Sequence, residues 1–485
     1  MNSNDRCEAS ALVSLAALKR FLSAGWLPDR MLRSGRQRTT IRKGVPPWTG
    51  CRFGWPAAGP KLAWRLFAAV LMVCFQPADG WAQDSPEAEF QSVTGKHITL
   101  VSDSEDQQEL KQLVASFDAA VPQWAERLNR SQPLIADFHI KAYLMEQADR
   151  FRRSGDLPST LNFKFGFARN QTVWLFKQPS EYYTRHLLLH EGVHAFCLDQ
   201  FNGIGPQWFG EGVAEWLALH RGTGTELVID QVPATNADTP YWGRFKAMSA
   251  ARKQGNVPTL DAVLAYPIDR QGNVERYGWS WLAVSMLYHY PDTRQAFLES
   301  FSRASDTPAV FNDLLKRDLA RMWPVVQARW RVAAQQVDYG FQWERETIDV
   351  SVNDSPWQGQ PIQRDIAANQ GWQSIGVRLP PGTTVRIDAQ GQCTINQDPK
   401  PWISEPAGVT IHYANDRPLG QCLACVIPNL SDEKQWVKTL VIEPIDAPKE
   451  LTIQQYSWLL LRINDHLNGL DDNRGGYRTT LQQTR

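Results

Sequence analysis

Apolar positions recur along the first half of this 485-residue chain with two periods. His97 to Val101 (HITLV), Phe138 to Met145 and Thr172 to Phe176 have the length and branched or aromatic content of strands. Glu105 to Leu128 repeats at three- and four-residue intervals and predicts an amphipathic helix. So does the stretch from Tyr182 carrying Leu187, Leu188, Leu189, Val193 and Phe196. Past Glu215 the helical period dominates, through Arg244 to Lys253, Leu260 to Ala265, Tyr277 to Tyr290, Thr293 to Ser302 and Ala309 to Ala334. Near Tyr339 the character changes. From Ile348 on, β-branched alternation (TVRIDA, VTIHYA) and turn residues replace any long helical period, predicting an all-β region. The expected fold class is therefore α+β, with a mixed domain over 83–340 and a β-sandwich over 345–485.

The first 82 residues read as a leader. Met1 to Pro60 is Arg-rich and shows no sustained amphipathic period. Lys61 and Arg65 then flank the apolar run Leu66 to Phe75, and Gly80-Trp81-Ala82 supplies small residues at the −3 and −1 positions of a cleavage site. Ten apolar residues are too few to span a bilayer. The expectation is a signal peptide over 61–82, export to the periplasm, envelope or exterior, and a mature chain from Gln83 without a transmembrane segment. Sixty residues ahead of such a signal imply a long leader or a start codon assigned upstream of the true one. Cys74 follows Leu71-Met72-Val73, a poor lipoprotein box. The zero net charge conceals a split. Residues 1–65 hold 12 Lys/Arg against 3 Asp/Glu, leaving 39 against 48 for the remainder. An acidic working part argues against nucleic acid as partner.

The chemistry lies in the helix from Tyr182. His190, Glu191 and His194 spell H-E-G-V-H, which sets two imidazoles one turn apart on one face and a carboxylate beside the first. Two histidines so spaced reach one metal ion, and the Glu can hold a water on it. After the breakers Gly203, Gly205 and Pro206, a second helical pattern opens as WFGEGVAEW, and Glu211 is placed to complete a His₂Glu zinc set. Cys197 reads as a small buried hydrophobe.

Together, H-E-G-V-H and the downstream E-G-V-A-E resemble the gluzincin metallopeptidases, in particular the peptidase MA-like group, over about Val101 to Met322. The resemblance implies zinc as cofactor, a peptide or protein substrate, His190, His194 and Glu211 as ligands, and Glu191 as general base. It implies that Glu215 hydrogen-bonds a ligating imidazole. It makes Tyr277 the oxyanion stabiliser, with Tyr288, Tyr290 and His289 behind it, and Asn170 to Phe176 the substrate-side edge strand. No G-x-M-E-N-like segment precedes the zinc helix, which favours an endopeptidase over an aminopeptidase. A catalytically inactive envelope or carbohydrate binder, and a zinc hydrolase of a non-peptide envelope amide, are the alternatives.

In the β region, WLLLRINDHLNGLDDNRGGY (Trp458 to Tyr477) and GWQSIGVRLPPGTTVRIDAQGQCTI upstream resemble the PA-IL-type galactose-binding calcium lectins, over about Gly371 to Leu481. That resemblance implies Asp465, Asp472 and Asn473 as calcium ligands, the carbonyls of Gly469 and Ile395 completing the shell, and carbohydrate as a partner. The polar residues such lectins take from a middle loop have only His412 and Asn415 as counterparts here. Cys393 is free to pair with Cys422 or Cys425, and the sequence does not choose.

Overall fold

The structure is a computed structural model, and it describes residues 89–268, 272–397, 399–429 and 440–484. The expected leader, its expected cleavage site and Cys74 lie outside the described residues. No helix among those described is long and apolar enough to cross a membrane.

The fold is α+β. The first sheet contains β1 (Gln91–Thr94), β2 (Ile98–Ser102), β3 (Ile140–Met145), β4 (Gly166–Arg169) and β5 (Thr172–Phe176) in the order β1-β2-β3-β5-β4. The three central strands run parallel, and β1 and β4 close the edges antiparallel. Alternation along β3 explains the layers. Ile140, Ala142 and Leu144 face the main core, while Tyr143 and Met145 face a second cluster with Phe151, Leu157, Leu161 and Trp174.

Helix α1 (Gln107–Arg127), capped by the Asp106 carboxylate, and α3 (Glu181–Phe201) cover the main face; α2 (Ala148–Ser154) lies between β3 and β4 in sequence. Ser180 caps α3 by accepting from the Tyr183 amide at 3.1 Å, and Asn202 ends it in the left-handed region. Six more helices follow: α4 (Gln207–Ala218), α5 (Arg244–Lys253), α6 (Leu260–Leu264), α7 (Val274–His289), α8 (Pro291–Ser300) and α9 (Pro308–Asp318). Then comes α10 (Trp323–Gln336). The single helix expected over Ala309 to Ala334 is thus two, because the chain stops at Asp318 and restarts with Pro324 in the first turn of α10, where a missing N–H costs nothing.

Thr172 to Phe176 is a strand as expected but not the edge. It is hydrogen-bonded on both sides, and the edge beside α3 is β4, which the sequence reading passed over because it is four residues long and opens on a glycine.

Beyond Ile348 the described chain forms two larger sheets. One has Cys422–Pro428 and Ser457–Ile463 at its centre, and the other is built on Arg474–Gln483 and Thr384–Gln390. Residues from both fill one core, including Ile375, Val385, Ile387, Leu459, Leu461 and Tyr477. The outer face of the first sheet does not meet solvent. Trp458, Leu460, Leu423 and Cys425 pack with Val325, Ala328 and Val332 of α10 in a separate cluster. At this seam Arg462 and Glu346 form a buried ion pair at 3.3 Å, and Arg331 donates to the Pro428 carbonyl at 3.2 Å.

Candidate metal centre and its cleft

Two glycines decide where the helices carrying the site can lie. A Cβ on Gly192, inside H-E-G-V-H, would stand 2.3 Å from Phe117 of α1, and one on Gly212 would stand 2.4 Å from the Ser280 carbonyl of α7. The absent side chains therefore let α1 press on α3, and α7 on α4. This brings the middle of α3 and the N-terminal turns of α4 and α7 to one cleft of about 660 Å³, lined by His190, Glu191, His194, Glu211 and Tyr277.

His190 Nε2 lies 3.1 Å and His194 Nε2 3.6 Å from Glu211 Oε2, and the three ligand atoms fall within 4.8 Å of one another. Ligands about 2.1 Å from a tetrahedral zinc would be about 3.4 Å apart, so the His₂Glu set fits that ion. Glu211 Oε1 is held by Gln207 Nε2 at 2.9 Å. Glu215 Oε1 sits 3.3 Å from His190 Nδ1, close enough to orient the ring although out of line for a good hydrogen bond.

The electrostatics call for a cation at this point. Burial by itself pulls His190 down, yet Glu211 and Glu215 together outweigh it and push the ring up to about 10. Burial would likewise lift Glu211, but His190 and His194 hold it at about 2. Without a metal ion, a proton on His190 supplies the positive charge that the two carboxylates demand. Glu191 is 7% exposed, and its pKa is raised, chiefly by burial and against the pull of the two imidazoles. Gly166 of β4 lies directly against it, since a Cβ there would come within 2.7 Å of Glu191 Oε1.

Tyr277 enters from the first turn of α7, its ring centroid 5.9 Å from that of His190. Burial, then Glu211, Glu215 and Glu191, raise its pKa, so the phenol keeps its proton. The other aromatic candidates lie elsewhere. Tyr288 packs on Trp216, His289 faces Asp230, and the Tyr290 hydroxyl accepts from the Ile348 amide.

Sequence reasoning missed two residues. Arg244 is 4% exposed and grips Glu215 bidentately through one guanidinium edge, Nη2 to Oε1 at 2.6 Å and Nε to Oε2 at 3.2 Å, while Trp242 Nε1 donates to Oε2 at 2.9 Å. His186, one turn before His190, donates Nδ1–H to the Ala218 carbonyl and sets Nε2 3.3 Å from Glu215 Oε2. Burial would raise Glu215, but Arg244 foremost, then His186 and His190, hold it well below the carboxylate range. His186, His190 and Glu215 also converge within 4.8 Å. Arg244 already supplies the cation there, so this trio supports the first site instead of forming a second. The spacing H-x-x-x-H-x-x-x-H was the one signal for His186. Arg244, 29 positions from Glu215, offered none.

In the β region the loop after Ser457–Ile463 brings two of the expected calcium ligands together. Asn473 Nδ2 donates to Asp465 Oδ2 at 2.9 Å and to the Ala368 carbonyl at 3.0 Å, while Asn473 Oδ1 is buried with no hydrogen-bond partner. Gly469 lies against Asp465 Oδ1, where a Cβ would come within 2.9 Å. Asp472 accepts from the Gln397 amide at 3.2 Å, two residues from Ile395, and, behind burial, its charge helps to raise the Asp465 carboxyl. An orphan amide oxygen beside a buried carboxylate suits a hard cation. Asn415 is a turn residue, at φ 52° beside Asp416 at φ 61°. His412 stacks on Trp402 at 4.4 Å. All four described cysteines are free and buried. Cys422 shares a core with Cys393, whereas Cys425 faces α10 on the other side of its strand.

Calcium offers a direct check of this loop. Burial foremost raises the Asp465 carboxyl, so the cation-free fold is penalised as pH climbs above the ordinary carboxylate value of about 3.9, where the unfolded chain ionises freely. Calcium at about 100 times its dissociation constant should therefore stabilise the whole chain by about 2.7 kcal/mol at pH 7, a rise of a few degrees in Tm. The rise should fade as pH falls through the raised value of the Asp465 carboxyl, beginning above the ordinary carboxylate value, and vanish in Asp465→Ala. Identical melting curves with calcium and with chelator at pH 7 would show that the loop binds no calcium.

No protein-family model matches the chain, and no curated protein matches it. Among solved structures it is weakly similar to the EclA N-terminal domain, a PllA-like lectin, at 17% identity over 25% of this chain and 94% of that domain, with a TM-score of 0.19.

Proposed function

We propose that the chain is a zinc-dependent peptidase with an appended calcium- and carbohydrate-binding β region, acting outside the cytoplasm after export. The observation that carries this reading is the convergence of His190, His194 and Glu211 beneath a cleft that Glu191 and Tyr277 also line. Zinc, when bound by these three residues, supplies Lewis-acid polarisation of the reacting oxygen atoms. Glu191, a carboxylate whose basicity is raised by burial, takes the proton of the water that attacks the scissile carbonyl carbon and passes it to the leaving amine. Tyr277 keeps its proton and donates a hydrogen bond to the oxyanion that develops on the carbonyl oxygen.

Strand β4 holds the substrate backbone. The Phe176 amide donates to the Phe165 carbonyl, so the pairing alternates and the amides and carbonyls of Gly166 and Ala168 point outward from the sheet edge. An extended peptide laid along them by β-addition passes over Glu191.

Purified protein should contain about one zinc per chain and cleave an unstructured protein internally. A chelator should abolish cleavage and zinc should restore it. Full cleavage by a metal-free sample would rule out the metallopeptidase reading.

A further inference from the structure

The charges lining the cleft sort by position. Its carboxylates, Glu191 and Glu211, belong to the reacting centre, and the Arg244 guanidinium is held by Glu215. The remaining charged side chains among the described lining residues are both cations, Lys164 just before β4 and Arg169 at its end. Both are exposed, and neither has a carboxylate partner among the described residues. Each rests near an aromatic ring of its own segment, Lys164 Nζ 4.8 Å from the Phe165 centroid and the Arg169 guanidinium 5.9 Å from that of Phe167, contacts that steady a long side chain without neutralising it. Two unpaired cations here run against the general charge, since residues 66–485 hold 39 Lys/Arg against 48 Asp/Glu.

Their spacing matches the length of chain the edge can hold. From 164 to 169 an extended strand covers roughly 17 Å, or about five substrate residues. Gly166 and Ala168 offer their outward backbone groups between the two cations. A peptide paired to this edge with its scissile bond over Glu191 therefore carries the side chains two or three residues away on either side toward Lys164 and Arg169. Among the described residues lining the cleft, no carboxylate outside the reacting centre is left to welcome a basic side chain or a free amino terminus.

We propose that the cleft selects acidic peptide segments, with Lys164 and Arg169 as the specificity-determining residues that receive substrate carboxylates flanking the scissile bond. This rests on the peptidase reading and adds the substrate class to it. The contacts are exposed, so the selection acts mainly on KM and weakens with salt.

The test compares three fluorogenic peptides that differ only in having Glu, Ala or Lys two and three residues on either side of one cleavage point. The zinc-loaded chain is assayed at about 50 mM and 500 mM salt, and Lys164→Glu/Arg169→Glu alongside it, with zinc content as the check that the variant is folded. The Glu peptide should be cleaved with a kcat/KM about tenfold above the Ala peptide and further above the Lys peptide. The preference should shrink at high salt and reverse in favour of Lys in the double variant. Equal cleavage of Glu and Ala peptides, or a Glu preference that survives the double substitution, would overturn the proposal while leaving the peptidase reading intact. Should no peptide be cleaved, the peptidase reading fails, and fluorescence anisotropy of the same labelled peptides on the parent chain decides the proposal. Binding of the Glu peptide about tenfold tighter than the Ala peptide upholds it, and equal binding overturns it.

Discussion

Glu191→Gln should retain about one zinc per chain and lose about 10²- to 10⁴-fold in kcat, with KM little changed. The amide keeps the shape of the carboxylate, so the close approach of Gly166 is undisturbed, and Glu191 is not one of the three converging ligand atoms. What disappears is the proton acceptor alone, and proton transfer by a positioned side chain contributes about that much to rate. Atomic absorption and steady-state kinetics on one preparation check both halves. A variant that cleaves as well as the parent would remove Glu191 from the mechanism, and one that loses its zinc would make Glu191 a ligand.

The second large effect concerns the two carboxylates of the E-G-V-A-E segment, which sit four residues apart with different work. Glu211→Ala removes an anionic ligand and leaves two imidazoles, so zinc should be lost on mild dialysis and cleavage with it. Glu215 touches His190 from behind, and loss of such a contact weakens metal affinity only about ten- to a hundredfold. Alanine is the wrong probe there, because it would strand the buried Arg244 guanidinium without its partner and cost about 3–5 kcal/mol of stability. Glu215→Gln keeps the shape of the side chain and one acceptor oxygen for Arg244, a milder loss than alanine, and should hold zinc through dialysis, with an affinity lowered by that tenfold to hundredfold factor in a chelator competition. Equal zinc loss from Glu211→Ala and Glu215→Gln would promote Glu215 to a ligand.

These contrasts mark how much was legible beforehand. The placement of His190, His194 and Glu211 followed from local rules, namely one helical turn between the histidines and a second helix after three breakers. Tyr277 was named by resemblance, and the close packing of α7 on Gly212 is what carries it into the cleft. Helix existence was similarly readable from periodicity, down to Arg244–Lys253. What escaped depended on partners distant in sequence. Arg244 looks like any basic residue opening a surface helix until Glu215 is beside it, and β4 has too few residues for a two-residue period to register. Nor could the sequence show that the Gln397 amide, 75 positions away, donates to the Asp472 carboxylate.

The shared core between α10 and the last sheet has a consequence for synthesis of the chain. Val325, Ala328 and Val332 are complete as a packed surface only when Trp458 and Leu460 have arrived, well over a hundred residues later. At ribosomal speeds of roughly 5–20 residues per second, the nascent helix waits on the order of ten seconds with its apolar face uncovered. The loop at Asp471 cannot reach Arg345 until after that wait. Chaperone demand during translation is thus written into the order of the segments, and a ribosome stalled before residue 458 would present a sticky intermediate however well the helices bearing His190 and Glu211 had already formed.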